Sequence, residues 1–421
     1  MQQRERLAAS MSERGLDVMV LTHPNDVLYV TGYTSVLERW QLQEPLAAAI
    51  VFADPARPVI LALPEALVGL LAVLESQGRP DRADELRVFD FFTFCEVMRA
   101  LDPHAPATSI GEEALRMYGQ RVRGACEHDI IDAIVAALQD HGLGSARAGF
   151  DDLRVGEHVR SRYRDGELEV RDGLDAVVRA RVVKTPSELA EMREVGKVAD
   201  LCMKAAVDAL QPGVTWDEVQ YRTADAMTRL DVIPVDEGAM LFGGAFKGEF
   251  MPELFRTRHN RALEDGQIVI LEVQGTHKGW WIDINRTATM GPPSTDYQKL
   301  HDDLRDAFLE MVDHMKPGNS TADLAPMCWE RLRSRGVPVP EKTMVIAHGV
   351  GYMTLEMPQP YPNMGLHGND GFTLEENMVI SLDCLYFGGA LGPCHMENVH
   401  IIEADGAVSI YDTPLELCGP R

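Results

Sequence analysis

The chain has 421 residues, 45% hydrophobic and 25% charged, with 40 Lys and Arg against 65 Asp and Glu, a formal net charge of −25. That balance excludes the basic face that nucleic acid or an anionic membrane surface requires, and the length allows two or three domains. The most apolar stretch, 47–74, is broken by Asp54, Pro55, Arg57, Pro58, Pro64 and Glu65, so it cannot span a bilayer. Seven cysteines without a CxxC spacing read as reduced thiols. With no signal-peptide pattern at the N-terminus, a cytoplasmic location is expected.

In chain order, a charged amphipathic helix is predicted over 4–14, followed by short buried strands over 18–22 and 27–31. Further strands over 47–52 and 59–63 flank the turn Asp54-Pro55-Ala56-Arg57-Pro58. Helices are predicted over 68–75 and 130–139. This alternation describes a layered α/β N-terminal domain, with a boundary at residue 175 and domains of 1–175 and 176–421. Thr185, Pro186 and Glu188 then signal a helix start: a capping hydroxyl, proline at the first helical position and an acid three residues on. Leu189, Met192, Val195, Val198, Cys202, Met203 and Ala206 continue at helical spacing.

The second domain carries an internal repeat. Leu210-Gln211-Pro212-Gly213-Val214-Thr215, with Glu218 and Val219, matches Met315-Lys316-Pro317-Gly318-Asn319-Ser320, with Asp323 and Leu324. Ile268-Val269-Ile270-Leu271-Glu272 likewise matches Val379-Ile380-Ser381-Leu382-Asp383, an apolar strand ending in a carboxylate. The same order twice predicts an α+β domain with a pseudo-twofold internal repeat.

A carboxylate at the end of an apolar strand is costly if it is buried unpaired. Glu272, Asp283, Asp383 and Glu397 all have such contexts, and His348 follows Met344-Val345-Ile346-Ala347. Each acid alone reads as a solvated strand end. Together they describe a cluster that cannot stay ionised without cations, and oxygen-rich ligation with one imidazole suits two ions of Mn, Fe, Co or Zn.

These residues resemble the creatinase, prolidase and aminopeptidase P superfamily, over essentially the whole chain. Its motif close to DxGxxxxGYxxDxTRTxxxG is matched from Glu272 to Gly291 by Gly279, Asp283, Arg286 and Thr287, with Trp280 for the tyrosine. HGxGxxxHExP is matched by His348, Gly349, Gly351, Glu356 and Pro358, and the final Glu-Asp by Glu397-Asn398. Gly15-Leu16-Asp17 and Tyr29-Val30-Thr31-Gly32-Tyr33 fit the N-terminal pattern. The resemblance implies a creatinase-like N-terminal domain, a pita-bread catalytic domain and a homodimer. In such a dimer Tyr29, Tyr33 and Trp40 could cap a partner's pocket or serve their own core.

By the same resemblance the metal ligands are Glu272, Asp283, His348, Asp383 and Glu397, with Asp283 and Glu397 bridging. Two depart in opposite senses, Asp to Glu at 272 and Glu to Asp at 383, and metal-free relatives of the creatinase type also lose the first Asp. The family's proton-handling histidines fall at Phe255 and Leu355, seventeen residues before Glu272 and seven after His348. His395 stands where the family often has Arg and shares a strand face with Glu397. His395 and Glu356 are the candidate catalytic residues. Phe255, Leu355, Trp281 and Gln274 are the candidate substrate contacts, although core packing is the commoner role for a residue such as Trp281, and Gln274 and Asn285 could simply satisfy backbone. Cys384 and Cys394 read as apolar fillers. The resulting expectation is a metal-dependent hydrolase cleaving a C–N bond in a small substrate, not an ordinary Xaa-Pro dipeptidase. The alternatives are a metal-free amidine hydrolase, a lyase resembling dimethylsulfoniopropionate lyases, and a non-catalytic binding protein on the same scaffold.

Overall fold

A computed structural model describes residues 2–35, 37, 45–76, 78–91, 117–164, 166–235, 240–246, 261–358, 371–387 and 390–420. The chain divides into two compact units, Met1–Ala180 and Arg181–Arg421. Among the described residues no helix is long and apolar enough to cross a membrane.

The first unit is built on six strands: β1 (Val18–Leu21), β2 (Ala48–Phe52), β3 (Ile60–Pro64), β4 (Glu85–Phe89), β5 (Arg147–Phe150) and β6 (Glu169–Asp172), in the order β4-β3-β2-β1-β5-β6. β1, β2 and β3 are buried along their whole length, as apolar runs covered on both faces must be. Ile130, Ile134 and Leu138 of the helix Ile130–Asp140 share a core with Val18, Val20 and Ile50.

The strand expected over 27–31 is instead the C-terminal part of a helix, Pro24–Thr31. The His23 ring caps its N-terminus by accepting from the Asn25 N–H, and Pro24 occupies its first turn. Gly32, at φ 73°, closes it with an N–H to the Leu28 carbonyl. These end signals outweigh the β propensity of Val27, Tyr29, Val30 and Thr31. Tyr29 and Tyr33 are fully buried, so neither is presented to a partner, and Trp40 lies outside the described residues. Five cysteines, at 202, 328, 384, 394 and 418, are free, but Cys126 is disulfide-bonded, which corrects the reading of all seven as reduced.

The second unit adds β7 (Val232–Pro234), β8 (Met240–Phe246), β9 (Ile268–His277), β10 (Trp280–Thr289), β11 (Thr343–Gly349), β12 (Val379–Tyr386), β13 (Cys394–Glu403) and β14 (Gly406–Ser409). Its sheet runs β11-β12-β13-β10-β9-β7, with β14 on β13 and β8 on β9. The hairpin β9–β10 and the pair β12–β13 meet at β10–β13, where the pseudo-twofold falls. Helices Pro186–Ala209 and Trp216–Arg229 precede the first half, and Thr295–His314 and Leu324–Ser334 the second. Both Pro-Gly turns of the repeat use left-handed glycines, Gly213 at φ 81° and Gly318 at φ 91°. This is the pita-bread arrangement, and it follows the α/β unit in sequence.

One expectation about this sheet needs correcting. The acids are not strand ends: β9 continues past Glu272 to His277, and β12 past Asp383 to Tyr386. The ladder runs on through each acid, and on β12 the apolar run continues with it through Cys384, Leu385 and Tyr386.

The capping box opening Pro186–Ala209 is complete, with the Glu188 N–H donating to Thr185 Oγ1 and the Thr185 N–H to Glu188 Oε2. Thr185→Ala is therefore expected to destabilise the second unit by about 1 kcal/mol, and Thr185→Ser by much less. Urea unfolding of the three proteins, followed by circular dichroism, checks this.

Candidate metal centre

Strand register brings the acids together. Across four neighbouring strands one row reads Glu272 on β9, Asn285 on β10, Glu397 on β13 and Asp383 on β12, each directly opposite the next. The adjoining positions place Gln274 opposite Asp283, and Ser381 opposite His348. Side chains two apart share a face, so all of these project on one side of the sheet. Glu272, Asp283, His348, Asp383, His395 and Glu397 are all buried.

Side-chain donors hold the acids. Gln274 Nε2 donates to Glu272 Oε1 at 3.0 Å and to Asp283 Oδ1 at 2.7 Å. Asn285 Nδ2 lies 3.3 Å from Glu272 Oε2, and Ser381 Oγ donates to Glu397 Oε1 at 2.7 Å. Thr354 Oγ1 donates to Asp283 Oδ2 at 2.6 Å. Asp383 engages two imidazoles, with Oδ1 3.0 Å from His395 Nε2 and Oδ2 3.3 Å from His348 Nε2. Thr354 and Ser381 were missed in the sequence. Their hydroxyls carry no distinguishing signal, although Ser381 lies two residues before Asp383 on the same strand face.

The residues fit divalent cations. Two overlapping triads, Glu272–His395–Glu397 and Asp283–His348–Glu397, each offer donor atoms lying within 4.8 Å of one another. His395 Nδ1 and Glu397 Oε2 are buried without a hydrogen-bond partner, as are Gln274 Oε1 and Asn285 Oδ1. Unpaired acceptors packed beside carboxylates are what an ion would complete.

The other expected site residues are distributed unevenly. Glu356 is apart from the cluster: Lys184 Nζ is 3.4 Å from its Oε2, Arg181 Nε 3.6 Å from its Oε1, and the Tyr352 N–H donates to it. Its carboxylate thus lies between Lys184 and Arg181 and holds the 349–356 segment that carries Thr354. Leu355 is half-buried in that segment. Trp281 is half-buried on β10 with its indole N–H unpartnered. Phe255 lies outside the described residues.

Residues 190–413, more than half of the chain, match the profile of metallopeptidase family M24. The chain belongs to this family. Residues 3–66 match the creatinase/prolidase N-terminal domain. An Xaa-Pro dipeptidase of Lactobacillus helveticus is 24% identical over 98% of this chain and 97% of its own length. The fold is shared with an Xaa-Pro dipeptidase from Bacillus anthracis, at 18% identity and a TM-score of 0.71 over 99% of both chains. A prolidase from Pyrococcus horikoshii has a TM-score of 0.68 at 16% identity, over 99% of this chain and 100% of that one.

Electrostatics in this M24 site follow from burial. Burial, then Asp283 and Asp383, holds the Glu272 carboxyl well above its ordinary value, and burial with Asp283, Asp383 and Glu272 does the same to Glu397. Asp283 is pushed up to about 6 by burial, which His348 opposes and Asp383 reinforces. For Asp383 burial is outweighed by the bonds from His348 and His395, so its carboxyl lies well below the usual range. His348 is raised: burial disfavours its charge, but Asp383 and Asp283 favour it more.

A raised carboxyl contributes stability below its unfolded value, about 4, and that contribution is lost as pH rises through the folded value. For Asp283 the window runs from about 4 through about 6. Buried His301 and His400, pushed down to about 4, act in the opposite sense, so a difference measurement isolates the acid. In chelator-treated protein, Asp283→Asn should become more stable relative to wild type from pH 4 to 6 and level off above. With Mn present the order should reverse. Melting temperatures across pH, with and without Mn, test both signs.

Proposed function

We propose that this M24 chain is a divalent-metal hydrolase that cleaves a C–N bond in a small substrate and handles ordinary Xaa-Pro dipeptides poorly. The observation that carries the metal reading is the pair of triads sharing Glu397, each with one imidazole. Glu272, Asp283, His348, Asp383 and Glu397 would hold two ions of Mn, Fe, Co or Zn. Such ions supply an activated water and polarise the scissile carbonyl. Gln274 ties Glu272 to Asp283 and fixes their spacing, while Thr354 holds the outer oxygen of Asp283. The free indole N–H of Trp281 is a donor for a substrate oxygen.

The departure from dipeptidase activity is supported by Leu355 and by the residue type at Phe255. Neither side chain donates or accepts a proton, so a leaving amine finds no imidazole at either position. Loss of one general acid lowers rates by about 10²–10⁴. The substrate then needs a better leaving group than a prolyl nitrogen.

A metal-free hydrolase is the second reading, favoured by the fact that Asp383 binds both imidazoles and Gln274 bridges two acids. One measurement separates them. Chelator-free protein should contain close to two divalent ions per chain by elemental analysis, and Asp283→Ala should lose both. No metal, with no rise in melting temperature on adding Mn or Zn, would establish the metal-free reading.

Turnover is then measured on Xaa-Pro dipeptides, creatine, ectoine and dimethylsulfoniopropionate. Dipeptide rates should fall well below the ordinary enzyme value of about 10 s⁻¹. A dipeptide turned over at that rate would remove the substrate claim and leave the metal claim intact.

A further inference from the structure

We infer that His395 is a ligand of one of the two ions, giving each ion its own imidazole, and that Asp383 orients this added ligand. The inference rests on the metal reading above and extends it to a residue outside the five ligand positions.

The two ring nitrogens of His395 have different surroundings. Nε2 makes a 3.0 Å hydrogen bond with Asp383 Oδ1. Nδ1 has no hydrogen-bond partner and stands 3.6 Å from Glu272 Oε2. That separation is long for a hydrogen bond but is readily spanned by an ion bonded at about 2.1 Å to each atom. Glu397 Oε2, in the same triad, is the other unpartnered atom, because Ser381 occupies Oε1. Two buried, unpaired acceptors thus belong to one triad with a third donor, Glu272.

His348 shows the same division of labour. Its Nδ1 lies 3.2 Å from the Gly349 carbonyl, while Nε2 is directed at Asp383 Oδ2, 3.3 Å away, and Glu397 Oε1, 3.9 Å away. A metal-bound imidazole ordinarily donates its other N–H to a carbonyl or carboxylate, which fixes the tautomer and the ring plane. These acceptors assign an Nδ1–H to His348 and an Nε2–H to His395. Asp383 therefore uses Oδ2 on the His348 side and Oδ1 to hold His395.

Three of the departures from the family pattern, at 272, 383 and 395, then form one change. On the β12–β13 ladder His395 opposes Leu385, so it is the diagonal neighbour of Asp383, which opposes Glu397. Asp383 is one methylene shorter than a Glu and Glu272 one longer than an Asp, and the His395 ring bridges the two. An Arg at 395 would be a fixed cation that cannot ligate, whereas a neutral imidazole offers a lone pair. The added nitrogen donor shifts preference from manganese toward zinc, cobalt or iron.

The test uses full-length protein stripped with chelator and reloaded with zinc. Wild type should hold two zinc ions per chain, and zinc-edge X-ray absorption should count one imidazole per zinc on average. His395→Ala should keep one tightly held ion and bind the second more than about 100-fold more weakly in chelator competition, with the remaining imidazole assigned to His348. Two zinc ions in wild type with half an imidazole per zinc would overturn the role of His395 and leave the metal centre standing. Absence of zinc from wild type would overturn both. If His395→Ala fails to fold, the wild-type imidazole count alone decides.

Discussion

Four carboxylates buried on one face of a β-sheet set the terms for this molecule. Within β9, β10, β12 and β13 the backbone amides go to the ladders or to hydroxyls, as that of Asp283 does to Tyr411 and that of His395 to Thr287, and so are not free to neutralise the acids. The acids must rely on side-chain donors, imidazoles, protons or cations. Gln274, Asn285, Ser381 and Thr354 supply hydrogen bonds, but none of them supplies charge. The structure's response is uneven: Asp383 takes both imidazoles, and the carboxyls of Glu272, Asp283 and Glu397 are left raised above their ordinary values. A site whose carboxyls are raised for want of positive charge is also one where metal competes with protons.

The surrounding framework keeps this strained set in register. Arg286, next to Asn285 on β10, donates to the carbonyls of Asn285, Glu397, Thr413 and Pro414 and to Asn398 Oδ1. It thereby ties β10, β13 and the C-terminal segment together behind the acids, even though burial pushes its guanidinium down to about 10. Tyr411 reaches from the same segment to the Asp283 carbonyl at 2.7 Å. On the other side Glu356 anchors 349–356 to Lys184 and Arg181, and this puts Thr354 against Asp283. A Cβ at Gly351 would collide with the Glu356 carboxylate, so the turn needs glycine at that point.

Much of this was legible in the sequence because its causes are local or periodic. The capping box at Thr185, the two Pro-Gly turns and the repeated apolar strands are short patterns with mechanical meaning, and the fold follows from them. Register was only half legible. Residues two apart could be placed on one face, but that Asn285 stands between Glu272 and Glu397 depends on how strands pair at a distance. Thr354 was invisible for the same reason: the segment that brings it to Asp283 is held by Glu356, whose partner Lys184 lies 172 residues away. The segment 27–31 misled because its β-branched residues were weighed without Pro24 and Gly32 at its ends. Motif membership likewise says nothing of the pairing of Glu356 with Lys184 and Arg181, which lie far away in sequence.

The central claim is that metal replaces protons at these carboxyls. Calorimetric titration of chelator-treated protein with Mn or Zn at pH 6, repeated in buffers of different ionisation enthalpy, measures that replacement directly. With Glu272, Glu397 and His348 raised above their ordinary values and Asp283 near 6, the account predicts saturable binding accompanied by proton release. Absence of saturable binding would contradict it, as would binding that releases no protons.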